Sequence, residues 1–130
     1  MNFTSQICTT EEQSERLLAL GLKKETADMT YLNDEICTAS YNEMECPYDN
    51  LVNPAWSLHR LLEMMPTYID VIGDEWTLNI LQGKLIAYTT DENENFLFAQ
   101  GATSLYDSII AAIDWLIQAE HFNKEYLCKL

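Results

Sequence analysis

The segment from Ser104 to Glu120 constrains the fold most, because its apolar residues form a stripe that needs a large apolar partner. These residues recur at helical spacing, and Asp107, Asp114 and Gln118 lie opposite them. The stripe comprises Leu105, Ile109, Ala112, Ile113 and Leu116, widened by Tyr106, Ile110 and Ile117. Only the β-rich stretch before it is large enough to cover this stripe. We therefore expect a helix at about residues 104–120, lying across one face of a sheet.

The stretch at about residues 68–100 has the two-residue period of β-strands. Trp76, Leu78 and Ile80 alternate with the side chains between them, and short polar links separate the candidate strands. Consecutive strands with short links predict an antiparallel meander of three to four strands that buries one face.

Helices are predicted before the meander. Thr10 and Gln13 have capping-box spacing, and Gly21 supplies a left-handed stop, so the N-terminal region begins with a helix. Residues 24–32 predict a second short helix. No period runs through residues 33–53, whose structure the sequence leaves open beyond a long surface excursion.

A further helix is predicted at about residues 54–65. Asn53 suits its N-cap, Pro54 suits its first turn, and Pro66 ends it. The fold class is therefore α+β: the meander packs against the helices at about 54–65 and 104–120, with a helical N-terminal region. Residues 1–130 are predicted to form a single domain.

The net charge of the chain limits the classes of molecule that it can bind. Twenty-one acidic and seven basic residues give a formal net charge of -14. Such a chain is repelled by nucleic acid and by anionic membranes, so we expect no direct nucleic-acid binding and no membrane association. A basic protein partner is favoured, although the charge could serve solubility alone. The sequence shows no apolar run of membrane-spanning length and no signal peptide, which predicts a cytoplasmic protein.

Residue patterns for metal or cofactor binding are missing from the sequence. The cysteines Cys8, Cys37, Cys46 and Cys128 match no zinc spacing, so no metal is predicted and free thiols are favoured over a Cys37–Cys46 bridge. The loop from Asp91 to Asn95 begins like a calcium loop, but Phe96 stands where that loop needs glycine. Without a glycine-rich phosphate loop or a nucleophile elbow, we expect no cofactor and favour a non-enzymatic protein.

One candidate site lies on the helix predicted at 54–65. Trp56, His59 and Glu63 are spaced three and four apart, which places them on one flank of that helix. This arrangement is a candidate partner-contact patch, since tryptophan is enriched at binding hot spots. The alternative is that Trp56 belongs to the core. An exposed Trp56 would support the patch, whereas a buried one would end it.

Several motifs carry a family resemblance. They are T-x-E-x-Q-S-x-x-L-L-x-L-G-L-x-x-x-T-A-D-M from Thr9, N-P-A-W-S-L-x-x-L-L-x-M-M-P from Asn53, G-D-E-x-x-L-N-I from Gly73 and D-x-x-x-x-A-I-D-W-L from Asp107. The chain resembles small uncharacterised acidic proteins of Bacteroides, their phages and mobile elements. The resemblance implies a bacterial or phage cytosolic protein and no particular activity or site residue.

Three functions are compatible with these observations. The first is an accessory protein of a mobile element or phage that acts by binding another protein, with a homodimer also compatible. The second is an acidic nucleic-acid mimic that inhibits a DNA-binding protein, which would need carboxylates arrayed over one face. The third is a small enzyme or ligand-binding domain with an unrecognised site, for which a deep polar pocket at His59 would be the sign.

Overall fold

A computed structural model describes residues 6–32, 35–37, 52–71, 73–81, 85–90, 96–100 and 104–128. The fold class is α+β, as predicted. The contacts within the chain divide it into two compact units. Met1–Leu62 with Lys124–Leu130 form the N-terminal unit, and Glu63–Asn123 form the meander unit. The single domain over 1–130 stays a prediction.

The N-terminal unit combines a helix with a small sheet. Its described residues form α1 (Glu11–Ala19), β1 (Met29–Leu32), β2 (Glu35–Cys37), β3 (Val52–Ala55) and two short 3₁₀ turns (Lys24–Thr26 and Lys124–Tyr126). The three strands are antiparallel in the order β2-β1-β3. Helix α2 (Leu58–Met64) begins in this unit.

Both ends of α1 form as the sequence predicts. The Thr10 hydroxyl accepts a hydrogen bond from the Gln13 N–H at 3.1 Å, and the Gln13 side chain accepts one from the Thr10 N–H at 3.0 Å. Gly21 has a φ of 105°, a backbone conformation that glycine adopts without a steric cost. The Leu22 N–H then reaches back to the Leu17 carbonyl at 3.2 Å and closes the helix.

Residues 124–128 return to this end of α1. Leu22 and Leu127 form an isolated antiparallel bridge. The Cys128 N–H donates to the Gly21 carbonyl at 2.7 Å, and the Lys23 N–H donates to the Tyr126 carbonyl at 2.9 Å. A segment distant in sequence thus completes the N-terminal unit.

The helix predicted over 24–32 is wrong. A single 3₁₀ turn is followed by β1, because pairing with β2 and β3 satisfies the backbone of β1 on both sides. The strands β2 and β3 also fall within the predicted excursion of residues 33–53 or overlap its end, whereas residues 38–51 lie outside the described ranges.

The predicted N-terminal end of the helix at 54–65 is also wrong. Asn53 and Pro54 belong to β3, with Pro54 opposite Thr30 of β1. The strand lies at the edge of its sheet, which is where strands tolerate a residue without an N–H. The helix α2 begins only after Ser57, whose hydroxyl accepts a hydrogen bond from the Arg60 N–H at 3.1 Å.

The meander unit confirms the predicted sheet. Its strands are β4 (Tyr68–Val71), β5 (Asp74–Leu81), β6 (Leu85–Thr89) and β7 (Phe96–Gln100), antiparallel in sequential order. Helix α3 (Leu105–Gln118) contacts β6 and β7. The Ser104 hydroxyl caps it by accepting from the Asp107 N–H at 3.2 Å and donating to the Asp107 carboxylate at 3.1 Å.

Helix α3 covers one face of the meander. Leu78 and Tyr88 are cross-strand partners, and the Tyr88 ring lies 6.1 Å from the Trp115 ring of α3, so their face is the one that α3 covers. Ile109, Ile113 and Leu116 are fully buried, as the apolar stripe predicts.

The buried Tyr88 makes stability sensitive to alkaline pH. Its hydroxyl donates to the Pro66 carbonyl at 2.8 Å, and burial raises the Tyr88 pKa far above its ordinary value. Because the folded-state pKa exceeds the unfolded value of about 10, the contribution of the neutral phenol is complete below that pH and declines above it. We expect the free energy of unfolding, measured by denaturant titration, to fall above about pH 10.

This alkaline decrease in the free energy of unfolding should be smaller in Tyr88→Phe than in wild type. Tyr68→Phe is the matched control, because Tyr68 is 55% exposed and its removal should leave the alkaline decline unchanged. Equal declines in wild type and Tyr88→Phe would contradict the assignment of the effect to Tyr88.

Candidate functional site

The residues of the predicted partner-contact patch differ in exposure. Trp56 is completely buried, whereas His59 and Glu63 are exposed. The hypothesis that Trp56 contacts a partner is therefore wrong, and the alternative that it belongs to the core is confirmed. Contact roles for His59 and Glu63 stay predictions.

Trp56 joins two segments that are distant in sequence. Its indole Nε1–H donates to the Thr26 hydroxyl at 2.9 Å. Its backbone N–H donates to the Thr9 hydroxyl at 3.1 Å, and its carbonyl accepts from the Thr9 N–H at 2.8 Å. Thr9 and Thr26 are themselves buried, so each of these polar groups needs its partner inside the protein.

A second polar cluster lies where β3 leads into α2. The Asp28 carboxylate accepts hydrogen bonds from the Ser57 N–H at 2.8 Å and from the Ser57 hydroxyl. The Arg60 Nε–H donates to the Thr26 carbonyl at 2.7 Å. Ser57 thus uses its hydroxyl both to bind Asp28 and to cap α2, which is a structural role.

Cys8 and Cys128 are free thiols in different environments. Cys8 is buried, and its thiol donates to the Tyr31 hydroxyl at 3.7 Å. Burial raises the pKa of the Cys8 thiol; its hydrogen bond with Tyr31 partly opposes this increase, and the negative charge of Asp28 adds to it. Cys128 is exposed. The possible Cys37–Cys46 bridge lies outside the described side chains.

The thiols should therefore react in a definite order. Because the thiolate is the reactive form, a thiol reagent should modify Cys128 rapidly in the folded protein and Cys8 only slowly. All four cysteines should react after unfolding without reductant. Mass spectrometry of peptides from both reactions measures this. Fewer than four reactive thiols in protein purified under reductant would contradict the free-thiol prediction.

The exposed surface of β4 and β5 presents a second candidate site. On the face opposite α3, Tyr68 lies across from Thr77, and Asp70 lies across from Glu75. All four are exposed, and we call them the β4–β5 patch. Sequence reasoning missed this patch, although the alternation of Tyr68 with Asp70 around the buried Ile69 was a usable signal.

Two carboxylates that face each other across the strands distinguish this patch from an ordinary solvated sheet face. Residues directly opposite each other on neighbouring antiparallel strands have their Cβ atoms about 4.5–5.5 Å apart, so like charges there are destabilising. Asp70 and Glu75 occupy such a pair. Within the part of the chain that the structure describes, no cationic side chain pairs with either carboxylate.

Within the described ranges, His, Cys, Asp and Glu form no group of three or more that could hold a metal ion. None of the helices in these ranges combines the length and apolar character needed to cross a membrane. The rejected calcium loop, Asp91 to Asn95, lies outside them.

Comparison of the chain with protein-family models, curated proteins and solved structures found no match. The resemblance to proteins of Bacteroides and their mobile elements thus stays a prediction.

Proposed function

We propose that the chain is a non-enzymatic accessory protein of a mobile element or phage, and that it acts in the cytoplasm by binding another protein. The β4–β5 patch carries this proposal. Tyr68 leaves 55% of its surface exposed beside two carboxylates. Tyrosine is enriched in protein interfaces because one ring offers both apolar area and a polar hydroxyl.

The charge of the chain favours a basic partner. At a net charge of -14, an acidic surface meets long-range repulsion and a basic one meets attraction. The chain contains only seven basic residues with which to compensate its own carboxylates. A basic partner would place a cation beside the facing carboxylates of Asp70 and Glu75.

Affinity capture tests the proposed function. Tagged wild-type protein is incubated with a Bacteroides lysate at moderate salt, and retained proteins are identified by mass spectrometry. We expect a basic protein to be retained at a stoichiometric level and to be lost when the bait is unfolded. Retention no greater than with the tag alone would contradict the proposal.

The same capture addresses the nucleic-acid mimic. If the retained protein binds DNA and DNA displaces it from the bait, the mimic hypothesis is favoured. Several acidic residues lie outside the described ranges, so the array of carboxylates that a mimic requires stays a prediction.

A further inference from the structure

We infer that the β4–β5 patch is the docking surface for an arginine- or lysine-bearing segment of the partner protein. This inference rests on the proposed function and adds to it the chemistry of the partner and the place where it binds. It follows from the register of two strands, the exposure of their side chains and the charge they carry.

The register brings together the groups that recognise a cationic side chain. Asp70 and Glu75 are direct cross-strand partners, so one guanidinium or ammonium group can contact both carboxylates. Tyr68 precedes Asp70 by two positions on the same strand and therefore lies on the same face, about 7 Å away. A ring at that distance can receive the same cation, or a neighbouring one, on its face.

Charge complementarity selects this occupant over an apolar one. A second copy of this chain would bring another strongly acidic surface to the patch, and an apolar segment would leave two carboxylates desolvated without a partner. A cationic side chain instead neutralises both carboxylates. The competing explanation is that Asp70 protects β4, an edge strand, from pairing with other chains.

A titration followed by NMR separates these explanations. The probe is a synthetic peptide of alternating arginine and glycine, added to ¹⁵N-labelled full-length protein. The test variant is Asp70→Asn/Glu75→Gln. The control is Glu12→Gln/Glu15→Gln, which changes the net charge equally at two exposed positions of α1.

The peptide should shift the amide signals of residues 68–77 in wild type. Asp70→Asn/Glu75→Gln should weaken binding about fivefold, since two exposed ion pairs are lost, and the control should change it less than about twofold. Tyr68→Ala should weaken binding about threefold, whereas Tyr68→Phe keeps the aromatic face and should bind as wild type does.

Equal weakening by the two double variants would overturn the inference, because total charge alone would then explain binding. The inference would also be overturned if the peptide shifted amide signals well beyond the patch, or if wild type did not bind the peptide. Unchanged amide signals away from residues 68–77 show that each variant is folded.

Lysate capture with the same variants distinguishes the two proposals. If wild type and Asp70→Asn/Glu75→Gln retain the same protein equally, the proposed function stands and the docking surface is wrong. If the peptide binds at the patch but the lysate yields no partner, the docking chemistry stands and the proposed function is wrong.

Discussion

Replacing Trp56 by alanine is expected to lower the free energy of unfolding by about 3–5 kcal/mol. The indole is completely enclosed, so its removal leaves a cavity that the surrounding side chains fill only in part. The substitution also deprives the buried Thr26 hydroxyl of the hydrogen bond it accepts from the indole at 2.9 Å. Denaturant titration followed by circular dichroism measures the loss.

Two control variants separate the contributions at this position. Trp56→Phe keeps an aromatic ring but removes the hydrogen bond to Thr26, so it should cost less, about 1–3 kcal/mol. His59→Ala changes an exposed side chain three residues further on and should stay within about 0.5 kcal/mol of wild type. If Trp56→Ala were as stable as His59→Ala, the core assignment would be refuted.

Replacing Ile113 by alanine should lower the free energy of unfolding by about 2–5 kcal/mol. Ile113 is fully buried on α3, the helix that lies on β6 and β7. Shortening the side chain removes apolar contacts and opens a cavity inside the meander unit, because the helix and the sheet cannot both move to fill it. Denaturant titration with intrinsic tryptophan fluorescence measures this loss.

Gln118→Ala is the matched control on the same helix. Gln118 is exposed, and alanine is a somewhat better helix former than glutamine, so the stability should change by no more than about 0.5 kcal/mol. A stability of Ile113→Ala close to that of Gln118→Ala would mean that the stripe on α3 does not hold the meander unit together.

Features determined within a few residues could be predicted from the sequence. The capping contacts of Thr10 with Gln13 and of Ser104 with Asp107 each span three residues, and both form as expected. The meander belongs to the same class, since each strand pairs with the next one along the chain. The register of its strands follows from the alternation of apolar and polar side chains and from the short loops between strands.

The small sheet could not be predicted, because its pairing is not local. Met29 pairs with Ala55, and nothing near either residue reveals the other. Asn53 and Pro54 suit the start of a helix as well as an edge strand, so their local preferences are compatible with either structure. The strand forms because the backbone at these residues pairs with β1.

The candidate patch at Trp56 was wrong for a geometric reason. Spacings of three and four residues place side chains on one flank only when all of them belong to a helix. Trp56 precedes the first residue of α2, Leu58, and its own backbone instead pairs with Thr9. The β4–β5 patch was within reach of the same kind of reasoning, because its residues do obey the two-residue period of their strands.

The bridge between Leu22 and Leu127 has a consequence for biosynthesis. A ribosome produces residues 63–123 before residues 124–128, so the N-terminal unit can be completed only after the meander unit has been synthesised. The meander pairs only neighbouring strands and can form during this wait. We therefore expect the meander unit to fold first during translation, and the N-terminal unit to close only when the segment that follows the meander unit emerges.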